Sequence, residues 1–190
     1  TYVLTQDDVG ENISASVTYT DDYGTAETVT SAATTAIANV NHAPASYFYI
    51  TGGQEQGNIL ELSGHVEDLD GFDDGFEWDL QWLRDGSAIY GATLPIYVLR
   101  QEDVGAVFSL QVSYTDGAGF EETVISSVTG EIANVNDIPL GGMAVWGTPT
   151  VGSTLSFSGN VTDEDGLGEF SFQWFRDGME IDGATSSEYI

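Results

Sequence analysis

Two short acidic motifs in the sequence have the composition of oxygen-ligand sites. DLDG (68–71) and DEDG (163–166) each place two carboxylates two residues apart, directly before a glycine. Calcium takes about six to eight oxygen ligands at roughly 2.3–2.6 Å, so carboxylates in loops are candidates to bind it. Neither motif is an EF-hand: counted from Asp163, the position that needs a bidentate glutamate is Trp174. The alternative interpretation is a plain Asp-Gly turn.

The composition excludes several classes of function. The 190 residues include 31 Asp and Glu but three Arg and Lys, which gives a net charge of −28. Such a charge argues against binding nucleic acid or anionic membrane, because both need a basic surface. The absence of cysteine excludes disulfides, Cys-ligated zinc and thiol catalysis. The sequence has no transmembrane run and no arrangement typical of catalysis, so we expect neither membrane insertion nor an enzyme.

The sequence consists of two periods of one repeat. YVLTQDDVG (2–10) returns as YVLRQEDVG (97–105), and IANVNHAP (37–44) returns as IANVNDIP (132–139), both shifted by 95 positions. LQWLRDG, from residue 80, returns as FQWFRDG, from residue 172, shifted by 92. With boundaries at the NVN peptides, we predict the second half of one unit, one complete unit and the first half of another: 1–43, 44–138 and 139–190. Because the chain begins within a repeat, we expect it to be part of a longer protein.

Alternating apolar residues predict strands throughout the unit. One such face is Phe108, Leu110, Val112 and Tyr114; others are Trp78, Leu80 and Trp82, and their repeats Phe170, Phe172 and Trp174. Asp85-Gly86 and Asp177-Gly178 favour hairpin turns with positive φ. No segment has a helical period. About seven short strands per unit, with regular turns, are typical of a β-sandwich.

These motifs resemble known families. FQWFRDG is similar to strand C of an immunoglobulin-like domain with its buried Trp, and YVLRQEDVG to strand E and the following corner. Leu62 and Val112 stand where inter-sheet cysteines would be. QWxRDGxxIxGAT, YxLxxxDVG, YTDxxG and ANVNxxP together resemble the tandem Ig-like repeats of RTX-type adhesins and biofilm-associated proteins. The resemblance implies all-β, disulfide-free Ig-like sandwich modules of about 95 residues, on a secreted protein at the bacterial cell surface.

The Ig-like topology implies where the candidate ligands meet. The linker entering a module lies beside its B–C and F–G loops, and the corner of the preceding module faces the same gap. This arrangement resembles cadherin junctions, where linker and loop oxygens hold calcium. The candidate ligands at the first junction are Asn39, Asn41, Asp68, Asp70, Asp116 and Asp8. Those at the second are Asn134, Asn136, Asp137, Asp163, Asp165 and Asp103.

Each of these candidates also has a structural interpretation. The asparagines suit a hydrogen-bonded linker turn, and Asp8 and Asp103 suit structural corners. Asp73, Asp74 and Glu77 offer either a second site or a solvated loop. His42 stands where the second junction has Asp137, so we expect the first junction to bind calcium more weakly.

Two classes of function follow from the resemblance and the residues. The first is a structural extender in which Ca²⁺ stiffens the linkers between neighbouring repeats of the chain. The second is a carbohydrate- or surface-binding module that uses exposed aromatic side chains such as Trp146. Because residues 139–190 and 1–43 are complementary halves of a unit, head-to-tail self-assembly of separate copies is a further expectation.

Overall fold

The computed structural model describes residues 1–73 and 75–190, and the fold is all-β. The helical residues in this part of the chain are two single 3₁₀ turns, Gln6–Asp8 and Gln101–Asp103. No described helix is long and apolar enough to cross a membrane. The strands are β1 (Ser16–Thr20), β2 (Ala26–Thr30), β3 (Ala45–Ser46), β4 (Tyr49–Gly52), β5 (Ile59–Ser63), β6 (Val66–Glu67), β7 (Asp79–Arg84), β8 (Ser87–Ala88), β9 (Ile96–Val98), β10 (Phe108–Thr115), β11 (Glu121–Ile125), β12 (Leu140–Trp146), β13 (Leu155–Thr162), β14 (Phe175–Arg176), β15 (Met179–Glu180) and β16 (Glu188–Tyr189).

Residues 44–138, called the middle unit below, have two antiparallel sheets on one core. One sheet has the order β11-β10-β7-β8 and the other β4-β5-β9, with β3 and β6 paired beside it. Leu60 of β5 and Trp82 of β7 are both fully buried in the same cluster, so the two sheets face each other across it. This is a sandwich-like arrangement, and the predicted all-β class is confirmed.

The alternation in β10 explains how this core forms. Phe108, Leu110, Val112 and Tyr114 are all buried, as their period of two predicts. Ser109 is buried as well, because β10 is a central strand that pairs with both β11 and β7. The indole N–H of Trp82 donates to the Leu94 carbonyl at 2.8 Å, so the buried ring keeps its polar group satisfied.

The predicted hairpin turns have the expected backbone. Asp85 and Gly86 have φ of 48° and 77°, and Asp177 and Gly178 have φ of 49° and 80°. Left-handed values at both central residues give the twist that suits a two-residue hairpin. The turns join β7 to β8 and β14 to β15.

The N-terminal segment, residues 1–43, has the local structure of the second half of the middle unit. β1 pairs with β2 in the same register as β10 with β11: Val17 lies opposite Val29, as Val112 lies opposite Val124. Val9 forms a parallel bridge with Ile37. The residues of β1 and β2 are all exposed, unlike those of β10.

The C-terminal segment, residues 139–190, forms the sheet β12-β13-β16 and the hairpin β14–β15. The sequence predicts a strand containing Phe170, Phe172 and Trp174, but residues 167–174 form none. In the middle unit the corresponding residues pair with β10, and this segment of the chain has no equivalent of β10. An apolar alternation therefore becomes a strand only where a partner strand is present.

Candidate functional site

The two aspartates of DLDG are held in a tight turn at the end of β6. The Asp70 amide donates to Asp68 Oδ1 at 2.9 Å, and the Gly71 amide donates to the Asp68 carbonyl at 3.2 Å. The side chain of Asp70 is fully buried. The Asp-Gly pair therefore forms a turn, and the same turn fixes both carboxylates on one side of it.

A third carboxylate arrives from the hairpin between β10 and β11. Asp116 is 1% exposed, and its Oδ1 accepts the amides of Ala118 and Phe120 at 2.9 and 2.7 Å. Its Oδ2 is buried and has no hydrogen-bond partner within residues 1–73 and 75–190. One carboxylate oxygen each of Asp68, Asp70 and Asp116 lies within 4.8 Å of the other two. We call these three residues the acidic cluster.

The two loops of the acidic cluster approach each other through their backbones. The Gly117 amide donates to the Gly71 carbonyl at 3.2 Å. A β-carbon at Gly117 would lie 2.6 Å from the Asp70 carbonyl oxygen, so the approach requires glycine at this position.

Tyr114 anchors the acidic cluster to the core. Its hydroxyl donates to Asp68 Oδ2 at 2.6 Å, while its ring contacts Phe72 and Phe76. Burial, and then the hydrogen bond to Asp68, raise the pKa of Tyr114 well above its usual value. The hydroxyl therefore stays protonated and continues to donate to Asp68 across the physiological pH range.

The linker before the middle unit contacts the acidic cluster through Asp70. The His42 amide donates to Asp70 Oδ2 at 2.6 Å, and His42 Nδ1 lies 3.2 Å from Asp70 Oδ1. The amide hydrogen bond is the largest cause that lowers the pKa of Asp70. Asp70 is thus a carboxylate in the folded chain, with its charge directed towards the linker.

The QDD corner that precedes the linker also contacts the acidic cluster, through Gln6. Gln6 Nε2 donates to Asn39 Oδ1 at 2.9 Å and to Asp70 Oδ1 at 3.0 Å. Asn41 points elsewhere, since its Nδ2 donates to Glu122 Oε1 at 2.7 Å. Of the two linker asparagines, Asn39 therefore contacts a partner of the acidic cluster, whereas Asn41 contacts the β10–β11 hairpin.

The second junction repeats these contacts. Asp165 donates its amide to Asp163 Oδ1 at 3.0 Å, and Asp137 donates its amide to Asp165 Oδ2 at 2.7 Å. Gln101 Nε2 lies 3.4 Å from Asp165 Oδ1, in the position that Gln6 has at the first junction. Among the described residues, no third carboxylate joins Asp163 and Asp165 as closely as Asp116 joins the first pair.

Two other predicted ligands of the second junction, Asn136 and Asp137, form hydrogen bonds to protein groups. Asp137 Oδ2 accepts Gln56 Nε2 at 2.8 Å. Asn136 Nδ2 donates to the Asp137 carbonyl at 2.8 Å, which is the predicted linker turn. The structure gives Asn134 no side-chain hydrogen bond within the described residues.

Asp8 and Asp103 belong to the corners and do not join the acidic cluster. Asp103 is fully buried, forms an ion pair with Arg84 and accepts the Arg100 amide at 2.8 Å. Asp8 accepts the Thr5 amide at 2.8 Å and the Tyr2 hydroxyl at 2.8 Å, which lower its pKa. These contacts match the structural interpretation of both residues.

Three participants were not predicted from the sequence: Gln6, Gln101 and Tyr114. The glutamines precede the acidic residues of the repeated QDD and QED corners, so their repetition was the available signal. Tyr114 was predicted to face the core, but the alternation of apolar residues does not predict which group its hydroxyl contacts. Asp74, considered with Asp73 and Glu77 for a second site, lies outside the described residues.

No protein-family model matches the chain, and no curated protein is significantly similar to it. The chemistry that we infer for the site therefore rests on its geometry. In the described part of the chain, the three carboxylates converge, one buried oxygen lacks a partner, and no arginine forms an ion pair with them. Such a set suits a divalent cation bound through oxygen.

Proposed function

We propose that the chain is a structural array of Ig-like modules whose junctions bind calcium, as an extender of a secreted bacterial surface protein. The observation that carries this proposal is the acidic cluster, above all the buried and unpartnered Oδ2 of Asp116. A buried carboxylate oxygen without a donor is costly, and a bound cation would remove that cost. The ligands would be Asp68, Asp70 and Asp116. Asn39, whose Oδ1 accepts from the same Gln6 amide as Asp70 Oδ1 does, would be a further ligand from the linker.

The recurrence of the junction contacts supports a role in positioning modules. In both junctions a corner glutamine and a linker amide meet the second aspartate of the acidic motif. A cation at that aspartate would connect the preceding corner, the linker and the following loops. The class of surface protein rests on the resemblance of the repeat motifs.

Calorimetric titration with Ca²⁺ tests the proposal. Asp116→Asn keeps Oδ1 for the Ala118 and Phe120 amides but removes the negative charge, so the loop should survive while calcium affinity falls at least tenfold. Asp182→Asn, an exposed aspartate in a distant turn, is the matched control and should leave binding unchanged. If the original chain takes up no calcium at millimolar concentration, or if Asp116→Asn binds as well as the original, the proposal is wrong.

A second candidate, carbohydrate binding, is favoured by one observation. Trp146 of β12 is 64% exposed, and exposed indole rings can stack on sugar faces. Binding on a glycan array that disappears with Trp146→Ala would support this function. If the array shows no binding, carbohydrate binding is excluded and the structural role remains.

A further inference from the structure

A groove in the middle unit lies between the edge strands of its two sheets. β8 is the last strand of one sheet, and β9 is the last strand of the other. The groove has a volume of about 640 Å³, and both strands and the connection between them line it. All of its lining residues lie between positions 84 and 102, so the groove belongs entirely to the middle unit.

Apolar side chains that lie outside the core line this groove. Leu94, Ile96 and Val98 are 64, 46 and 48% exposed. Tyr90, in the connection between the two strands, is completely exposed. Successive residues of a strand point to opposite faces, so Ile96 and Val98 face away from the core that Tyr97 contacts. Neighbouring exposed apolar residues of this kind mark interaction sites.

The following repeat shows that the fold does not require these apolar residues. At three equivalent positions, shifted by 92, it has polar or acidic residues: Asp182 for Tyr90, Ser186 for Leu94 and Glu188 for Ile96. The local backbone is nevertheless the same. The indole N–H of Trp82 donates to the Leu94 carbonyl, and that of Trp174 to the Ser186 carbonyl, both at 2.8 Å. The apolar groove is therefore an addition to the repeat, and it points to a ligand of the middle unit.

The outer edge of β9 offers backbone groups to such a ligand. The Leu99 amide donates to the Asn58 carbonyl at 2.9 Å, on the side of β9 that faces β5. Hydrogen bonding alternates along an antiparallel strand, so Tyr97 also bonds to β5 while the amides and carbonyls of Ile96 and Val98 point to the opposite edge. In the described part of the chain no strand pairs with that edge. Two amides and two carbonyls are therefore available to an added strand.

The groove also contains two of the three basic residues of the chain, Arg84 and Arg100. Arg84 is engaged by Glu102 and by the buried Asp103. Arg100 has an exposed side chain, and it forms no ion pair within residues 1–73 and 75–190. Its guanidinium is therefore available to a carboxylate of a ligand.

We propose that the groove binds an extended peptide segment of a partner protein, which adds to β9 as a further strand. The outward backbone groups of Ile96 and Val98 hold its main chain, and the apolar walls of the groove receive its side chains. Arg100, two residues beyond Val98, pairs with one carboxylate of the peptide. The net charge of −28 repels a segment with several acidic groups, so the bound segment is largely apolar and carries a single carboxylate.

Two other occupants match the groove less well. A second copy of the chain carries the same charge of −28 and is repelled. A carbohydrate stacks on aromatic rings, whereas Leu94, Ile96 and Val98 are aliphatic, and it has no backbone to pair with the edge of β9. Binding of the peptide requires no calcium and is independent of the proposed function.

An array of immobilised, capped heptapeptides tests the inference with the 190-residue chain in chelator. Valine and threonine alternate in every peptide, and the central position is Glu, Gln or Lys. We expect the Glu peptide to bind at least tenfold more tightly than the Lys peptide, and Arg100→Glu to reverse this preference. The proposal is overturned if the original chain binds none of the peptides, if it binds the Glu and Lys peptides equally, or if Arg100→Glu keeps the original preference.

A second pair of variants places the peptide in the groove. Ile96→Glu introduces the residue that the following repeat has at this position, so the fold accepts it, and binding should fall at least tenfold. Val128→Glu puts the same charge on an exposed valine outside the groove and should leave binding unchanged. Equal binding by Ile96→Glu and Val128→Glu would show that the peptide lies elsewhere.

Amide hydrogen exchange identifies the mode of binding. The amides of Ile96 and Val98 should exchange at least tenfold more slowly in the complex with the Glu peptide, because strand addition hydrogen-bonds them. Unchanged exchange at both amides would exclude strand addition. Protection that increases with the concentration of the chain alone would identify a second copy as the occupant, and it would overturn the proposal as well.

Discussion

At the scale of single residues, the aspartate of the repeated corner motif has different partners in the two copies of the motif, Asp8 and Asp103. Asp103 has a guanidinium partner, whereas the partners of Asp8 among the described residues are uncharged hydrogen-bond donors. The repeated QDDVG and QEDVG motifs predicted a corner in both places, and the structure has a 3₁₀ turn at each. The partners could not be predicted from the motif, since Arg84 is 19 positions away and its contact depends on the sandwich.

Arg84→Met tests the contribution of this ion pair to stability. Asp103 is fully buried, so removing the guanidinium leaves a buried charge without a counter-ion; the expected loss is about 3 kcal/mol. Urea unfolding followed by Trp fluorescence measures it. Arg100→Met removes an arginine from the exposed side of the same corner and should cost less than about 1 kcal/mol. Equal losses in the two variants would show that Asp103 does not depend on Arg84.

At the scale of elements, the sequence predicted strands well where both partners of a sheet are present. β10 and β7 were predicted from period-two alternation, and their inward residues form the core. The same alternation around Trp174 gave no strand, because strand formation requires pairing as well as propensity. The resemblance to Ig-like domains placed Asp116 with Asp68 and Asp70 at one junction, and in the structure a carboxylate oxygen of each lies within 4.8 Å of the other two.

Gly117→Ala tests whether the packing of these two loops determines cation affinity. Its β-carbon would lie 2.6 Å from the Asp70 carbonyl oxygen, so the hairpin must move away and carry Asp116 with it. We expect calcium affinity to fall about tenfold, equivalent to about 1.4 kcal/mol, with little change in thermal unfolding. Gly168→Ala, where a β-carbon meets no atom within 4 Å, is the control. Unchanged affinity in Gly117→Ala would mean that Asp116 is not a ligand.

At the scale of the whole molecule, the dominant property is the net charge of −28. Like charges repel across each junction, and monovalent salt weakens this repulsion without joining particular groups. A divalent cation bound between corner, linker and loops would instead connect neighbouring units. For a dissociation constant of about 10⁻⁴–10⁻³ M, calcium at 10 mM would stabilise each site by about 1.4–2.7 kcal/mol.

Small-angle scattering distinguishes these two effects of ions. We expect the maximum dimension and the stiffness of the chain to increase when calcium replaces chelator, because the linker around His42 loses its freedom once Asp70 is part of a cation site. Sodium chloride at the same ionic strength is the control for screening, and it should not reproduce the change.

Asp116→Asn should respond to calcium less than the original chain does, since it keeps the linker contacts but lacks one ligand charge. An identical scattering curve with calcium and with chelator would exclude stiffening, even if calorimetry shows that calcium binds.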